Sequence, residues 1–366
     1  MDLAWLKKKP VLDESTSEPR PVSEPRVLVV SAAVPVLVFA LLVFVLLSPN
    51  RPANDFCSLW AAARIAGPGI YDAAQGEAIQ RTGCPLVKSN RYIRPPFYAL
   101  LLWPLGQLPF QTANTLWFVM NLAAILAFVR LWGFRPGAYI ACAFFLPLWF
   151  SFAIEQDVPL MLVAVSAGAR LVQQKKELSG GASLALCAVK PHLFLFIPVV
   201  LLARKQYRVL AGMLASGGIL YLLSSALLGL NWPLAFFAAA TENEATIHPR
   251  LLGLAGLLSR FGAPAWILAI AAIAGAVIVY RYAKAAAWLP SIAFATAVGV
   301  TFAPHALVYD ASLLLPLLLM HFPPAAVVAV GAALYTLLTP AAIVSEVTAL
   351  ALLLAPMVHR RSQPRS

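Results

Sequence analysis

Long apolar runs separated by short polar stretches dominate this sequence from residue 27 to residue 358. A helix needs about 20 mostly apolar residues to cross the hydrocarbon core of a bilayer. Hydrophobic residues make up 61% of the 366 positions and charged residues only 11%, whereas about a quarter of a soluble domain is charged. A chain with so little polar surface cannot face water on all sides. The sequence therefore predicts an all-α, polytopic transmembrane helical bundle.

Ten of the apolar runs are candidate spans on length and composition. They are 27–47, 113–132, 138–154, 158–173, 208–228, 264–281, 287–302, 306–321, 324–339 and 341–358.

An eleventh apolar segment, 180–203, contains the polar break Lys190-Pro191-His192 and has two interpretations. As one span, it would place Lys175-Lys176 and Arg204-Lys205 on opposite faces of the membrane. As two short helices broken at Pro191, it keeps both basic clusters in the cytoplasm, as the positive-inside rule prefers. Proline favours the break because it lacks a backbone donor and clashes with the preceding turn. We therefore predict about twelve spans.

The domain organisation follows from this topology. A single transmembrane domain, 27–358, lies between a disordered cytoplasmic tail, 1–26, and a second cytoplasmic tail, 359–366. Its two long outer loops cover about 49–112 and 229–263. The net charge of +12 is attributed to cytoplasmic loops rather than to a nucleic-acid partner, and no Gly-rich nucleotide-binding motif is present.

The first outer loop contains the residues best placed for chemistry. Asp55 can begin a helix, in which apolar residues from Phe56 to Ala63 recur at i, i+3, i+4 and i+7. This pattern predicts an amphipathic helix in the membrane interface, with Trp60 at the depth of the lipid headgroups. Asp72 follows in a turn, where a structural role is expected.

Several motifs, in order over roughly 260 residues, resemble glycosyltransferase family 87. They are Asp-Phe-x-x-x-Trp-x-Ala-x-Arg from Asp55, Gly-x-x-x-Tyr-Asp from Gly67, Pro95-Pro96-Phe97, Pro-Leu-x-x-Leu-Pro from Pro104, Ala188-Val189-Lys190-Pro191-His192, and Pro-x-x-x-x-Tyr-Asp from Pro304. The chain departs from the family pattern at Glu155-Gln156-Asp157, where many members have Gly-Gln-Asn. It also has His305 where bacterial relatives often have Tyr.

The resemblance implies a GT-C-like membrane enzyme with inverting chemistry. Such an enzyme moves a sugar, mannose or a similar hexose or pentose, from a polyprenyl-phosphate donor to a lipid or glycan acceptor. It works at the outer face of the bacterial inner membrane, here with both termini cytoplasmic. No cofactor or metal is expected, because no His, Cys or carboxylate cluster has ligand spacing.

Transfer from a lipid phosphate needs a base for the acceptor hydroxyl and cations for the departing phosphate. The resemblance implies Asp55 as the catalytic base. Lys190, Arg94 and His305 are the candidates for the donor phosphate, although snorkelling to the interface would also explain an intramembrane Lys190. The candidate acceptor-binding or supporting residues are Glu155, Gln156, Asp157, Tyr309 and Asp310.

Simpler roles remain open for several of these residues. Glu155 and Asp157 can also be a solvated loop pair. Because an unpaired intramembrane carboxylate is costly, Asp310 is expected to have a partner such as His305, Lys190 or an arginine. Cys57 and Cys84, in the same outer loop, could form a disulfide in an oxidising compartment. The alternative function is a lipid or solute transporter or flippase, although no internal repeat favours it.

Overall fold

The computed structural model describes residues 55–84, 90–247 and 251–335. Within these ranges the chain is helical and contains no strand, in agreement with the predicted all-α class. The predicted spans 27–47 and 341–358, and both predicted tails, lie outside the described residues.

The helices follow one another with short connections. They are α1 (Asp55–Ile65), α2 (Ala73–Gly83), α3 (Pro96–Leu101), α4 (Trp103–Gly106), α5 (Phe110–Trp132), α6 (Gly137–Phe144), α7 (Leu146–Ala153), α8 (Val158–Gln173), α9 (Glu177–Ala185), α10 (Ile197–Ala203), α11 (Tyr207–Leu228), α12 (Trp232–Ile247), α13 (Gly253–Arg260), α14 (Ala265–Ala285), α15 (Trp288–Phe302), α16 (Leu315–His321) and α17 (Pro324–Tyr335). Short 3₁₀ helices are formed by Leu186–Val189, Pro191–Leu193 and Val308–Leu314.

Among the described helices, three are long and apolar enough to cross a membrane: α5, α11 and most of α14. A fourth span results if α7 and α8, between which the chain bends by 119°, form one broken span. The other apolar helices are shorter than a full crossing. The structure thus supports a helical membrane protein, and the total of about twelve spans stays a prediction.

The predicted span 138–154 is not one continuous helix. The chain breaks at Phe145, whose backbone is extended, and α7 begins with Pro147 in its first turn. Proline is accepted there because the first helical N–H groups have no intrahelical acceptor, whereas inside a longer helix it would remove a hydrogen bond. The proline explains why this apolar run divides into α6 and α7.

The helix α1 differs from the amphipathic helix that the sequence predicts. Every residue from Phe56 to Ala63 is buried, and Trp60 lies inside the protein with its indole N–H donating to the carbonyl of Leu108 (3.1 Å). Trp60 is therefore covered by protein and does not face lipid, while its depth in the membrane stays a prediction. The face opposite the large apolar residues carries the small side chains of Ser58, Ala61 and Ala62, and neighbouring elements bury this face as well.

The predicted break at Lys190 is present. A 3₁₀ turn ends at Val189 and another begins at Pro191, so Lys190 lies between two short helical segments. The break packs against Gly299 in the last turn of α15, where a Cβ atom would overlap the carbonyl oxygen of Leu193. Glycine at this position therefore allows the broken segment to approach α15 closely.

The helices α8 and α15 show how far the break at Lys190 lies from the basic Lys175-Lys176 end. The helix α8 begins after Asp157 and ends before Lys175-Lys176, while α15 starts beside the last turn of α8, where Trp288 donates to the carbonyl of Ala169 (2.9 Å). At 1.5 Å per residue, α8 and α15 extend about 24 and 22 Å. The break at Lys190 and the end of α15 are thus separated from the basic Lys175-Lys176 end by roughly one helix length.

Candidate active site

The carboxylate of Asp55, in the first turn of α1, receives two amide hydrogen bonds. The side-chain N–H of Asn90 donates to Oδ1 (2.7 Å), and the side-chain N–H of Gln156 donates to Oδ2. The backbone N–H of Asp55 donates to the carbonyl of Ile154 (2.9 Å). The start of α1 is therefore fixed to the loop between α7 and α8, and the orientation of its carboxylate is set by two neutral donors.

Gln156 connects Asp55 to two cations. Its side-chain oxygen accepts hydrogen bonds from Arg94 Nη2 (3.2 Å) and from Lys190 Nζ (3.1 Å). Because both cations can only donate, they hold the amide oxygen on their side and turn the amide nitrogen towards Asp55. A glutamate at this position could not donate from its ionised form. This arrangement requires an amide.

Lys190 lies at the centre of a buried ionic cluster. Its ammonium is 3.0 Å from Oδ1 of Asp157 and 3.0 Å from Oδ1 of Asp310, and it lies 4.9 Å from the ring centroid of Tyr309. Arg94 completes the cluster by donating from Nε to Oδ2 of Asp157 (3.1 Å). The expectation that Asp310 pairs with a nearby cation is thus confirmed, and Lys190 does not snorkel to the surface.

The cluster contains more carboxylates than cations. Asp55, Asp157 and Asp310 together exceed Arg94 and Lys190 by one negative charge when all five are ionised. Asp157, Lys190 and Asp310 are each no more than 3% exposed. Buried charges are stable only when they are paired and hydrogen-bonded, and here the pairing involves elements far apart in the sequence.

Burial alters the proton affinity of two groups in or beside this site. It raises the pKa of Asp55 above its usual range, while Arg94 and the hydrogen bond from Asn90 act in the opposite direction. Burial also lowers the pKa of His305, in the loop after α15, to about 4. At neutral pH His305 is therefore an uncharged imidazole, with its ring centroid 5.8 Å from that of His192.

The late motif is positioned by its own aspartate. Asp310 Oδ2 accepts a hydrogen bond from the backbone N–H of Leu307 (2.9 Å), which fixes the start of the 3₁₀ segment Val308–Leu314. Tyr309 is buried within this segment, and its ring stacks on Phe150 with centroids 6.3 Å apart. One side chain thus both orders the motif and pairs with Lys190.

The structure brings most predicted site residues together but gives others a separate role. Glu155 contributes backbone geometry: it has a φ of 60°, and its carbonyl accepts a hydrogen bond from Trp117 (3.0 Å). This left-handed conformation favours glycine, which is the residue that many family members have there. Asp72 caps α2 by accepting from the N–H groups of Ala74 and Gln75, as expected of a structural residue.

The outer-loop segments around Asp55 are linked to one another. A disulfide joins Cys57 of α1 to Cys84 after α2. The hydroxyl of Tyr71 donates to the carbonyl of Arg94 (2.8 Å), and Gln80 binds both backbone polar groups of Asn90. These contacts place Asn90 and Arg94 beside Asp55.

Asn90 is the site residue that the sequence analysis missed. It lies 35 positions from Asp55 and belongs to none of the motifs that carry the family resemblance. Its only sequence signal is a short amide side chain four residues before Arg94 and close to the Pro-Pro turn. Such a residue is most often a turn former, so only the tertiary contact reveals its role.

The described residues contain no group of three or more His, Cys, Asp or Glu side chains arranged to hold a metal ion. The nearby carboxylates instead contact Lys190, Arg94 and amide donors. The chemistry that these residues themselves offer is therefore proton transfer and electrostatic binding.

These features define a class: a helical membrane protein with a carboxylate held by amides at the edge of a buried ionic cluster. The sequence model of glycosyltransferase family 87 matches residues 92–309, more than half of the chain, and the chain belongs to this family. The predicted family is thereby confirmed, and the chain is a membrane glycosyltransferase. No curated protein and no solved structure matches the chain.

Proposed function

We propose that this protein transfers a sugar, mannose or a similar hexose or pentose, from a polyprenyl-phosphate donor to a lipid or glycan acceptor. Asp55 serves as the general base. The observation that carries the proposal is the pair of amide hydrogen bonds to the Asp55 carboxylate, next to the cations of the buried ionic cluster, Arg94 and Lys190. A membrane glycosyltransferase needs a fixed base next to such cations.

The transfer is a single displacement that inverts the anomeric carbon. The Asp55 carboxylate takes the proton of the acceptor hydroxyl, while the oxygen of that hydroxyl attacks the anomeric carbon. The bond between that carbon and the phosphate oxygen breaks, and its electron pair leaves with the polyprenyl phosphate. Asn90 and Gln156 each donate one hydrogen bond to a different oxygen of Asp55, which fixes the orientation of the carboxylate as base catalysis requires.

The donor phosphate binds near Arg94, Lys190 and His305. Arg94 and Lys190 are already paired with carboxylates, so a phosphate shares these cations with Asp157 and Asp310 rather than meeting free charges. With a pKa lowered to about 4, His305 is neutral at pH 7. It can donate one hydrogen bond as it stands, and a phosphate beside it would favour its protonation.

The site faces the outer side of a bacterial inner membrane. Two observations support this orientation. Disulfides such as Cys57–Cys84 persist in oxidising compartments, and this one joins the elements that hold Asp55. The exposed residues Lys175 and Lys176 lie at the other end of α8, as expected for the cytoplasmic side under the positive-inside rule.

The purified full-length chain tests the proposal when it is supplied with polyprenyl-phosphate sugars and lipid extracts. We expect transfer by the wild type and none by Asp55→Asn, which should still bind the donor. Asp72→Asn is the matched control, because it makes the same change in the same loop at an exposed helix cap. Full activity of Asp55→Asn would show that another group is the base.

The transporter or flippase alternative predicts a different result. Such a protein would move a labelled lipid across a vesicle bilayer and yield no glycosylated product, whichever acceptor is supplied. Product formation by the wild type, lost in Asp55→Asn, would rule out an activity limited to transport.

A further inference from the structure

A second feature lies at the opposite end of the bundle from Asp55. The helices α10 and α14 border an apolar groove of about 490 Å³, to which Val199, Ala276 and Tyr280 contribute. Its lining also includes Arg281 and Lys284, at the end of α14, and both side chains are exposed. The groove thus combines an apolar floor with two cations at one end.

The helix pair around this groove is held in a defined geometry. Arg204, which follows α10, donates from Nη1 to the carbonyls of Ala283 (3.0 Å) and Ala286 (2.5 Å) at the end of α14. These bonds satisfy carbonyls that have no intrahelical donor. They also fix the end of α10 against α14, so the groove is part of the folded bundle and not a gap between loosely placed helices.

The surroundings of the groove are basic. Arg204 and Lys205 connect α10 to α11, and Arg208 follows at the start of α11, paired with Glu177 at 3.3 Å. Lys284 also lies 4.7 Å from the ring centroid of Tyr280. A basic pocket between membrane helices, next to apolar surface, is complementary to an anionic lipid headgroup and its acyl chain.

From this geometry we infer that the groove between α10 and α14 binds an anionic glycerophospholipid, with its phosphate on Arg281 and Lys284 and an acyl chain along Ala276 and Val199. The bound lipid belongs to the leaflet at the basic end. It is separate from the sugar donor, because α15 places this end about 22 Å from the Asp55 side of the bundle.

The inference is tested by measuring lipid binding to the full-length protein by native mass spectrometry and by thermal shift in detergent. The two probes are phosphatidylglycerol and phosphatidylcholine with the same acyl chains. We expect the wild type to prefer phosphatidylglycerol. The double variant Arg281→Gln/Lys284→Gln should weaken that binding about twenty-fivefold, because each basic residue near an anionic surface contributes roughly a factor of five.

The matched control is Lys175→Gln/Lys176→Gln, which removes the same charge from exposed positions at the same end. It should leave phosphatidylglycerol binding nearly unchanged. A further variant, Ala276→Phe, keeps both cations but fills the groove, and it should also abolish the preference. Each variant is first compared with the wild type by size exclusion and by circular dichroism.

Three results would overturn the inference. Equal losses in the two double variants would mean non-specific attraction to a basic surface. Unchanged binding by Ala276→Phe would mean that the groove is not used. Displacement of phosphatidylglycerol by a polyprenyl phosphate at lower concentration would assign the groove to the donor or its product. None of these results depends on Asp55, so failure here is distinct from failure of the proposed reaction.

Discussion

Asn90 provides the sharpest test of how the site controls its base. Its side-chain N–H donates to Oδ1 of Asp55 at 2.7 Å, which stabilises the ionised carboxylate. The variant Asn90→Leu removes this donor and retains a side chain of similar length. Gln156 still binds the other oxygen, so the orientation of the carboxylate is largely kept.

The size of the effect follows from the energy of one hydrogen bond. A hydrogen bond to a charged group contributes about 1.5–3 kcal/mol, and one pKa unit corresponds to about 1.4 kcal/mol. Loss of the Asn90 bond should therefore raise the pKa of Asp55 by about one to two units, in the same direction as burial already does. A base acts when deprotonated, so activity that is full at high pH is lost as the pH falls through this pKa.

The assay is the pH dependence of kcat/KM for sugar transfer, which reports the ionisation of the free enzyme. In Asn90→Leu the acidic limb should move up by about one to two pH units, while the plateau at high pH falls much less. Asn231→Leu, at an exposed position before α12, is the control and should keep the wild-type profile. If the acidic limb of the Asn90→Leu profile stays at the wild-type pH and kcat/KM is lower by the same factor at every pH, this account of the Asn90 bond is refuted.

Two further predictions concern stability. Lys190→Met leaves two buried carboxylates without their shared cation and should lower the free energy of unfolding in detergent by about 3–5 kcal/mol. The control Lys175→Met, at an exposed site, should change it by no more than about 0.5 kcal/mol. Equal effects of the two variants would contradict the described ionic network. Replacing Cys57 and Cys84 by serine opens a link between residues 27 positions apart and should lower the free energy of unfolding by about 3.5 kcal/mol. If a reductant destabilises the serine variant as much as the wild type, the disulfide is not responsible.

The sequence was sufficient to predict the break at Lys190 and a cationic partner for Asp310. Both predictions depend on strong local physics: proline cannot continue a helix, and a carboxylate in apolar surroundings needs a counter-charge. The family resemblance also assigned Asp55, Arg94 and Lys190 to one site, because it carries three-dimensional information that composition does not.

The contacts of Asn90 and the limits of the shorter helices could not be predicted in the same way. Asn90 acts through a contact between two loops, and its residue type is equally common in simple turns. Apolar runs alone do not reveal where a helix ends, since residues buried in protein and residues facing lipid have similar composition. Pro147 was the available signal for the division of the run 138–154.

The surplus of carboxylates around Lys190 has a consequence for turnover. After transfer, the leaving group is a phosphate monoester with more negative charge than the donor diester. When Asp55 releases the proton that it took from the acceptor, the cluster beside this monoester again has one excess negative charge. Repulsion at short range in a poorly screened interior disfavours its retention. We expect weak product inhibition by polyprenyl phosphate and a release step that the acidic residues accelerate.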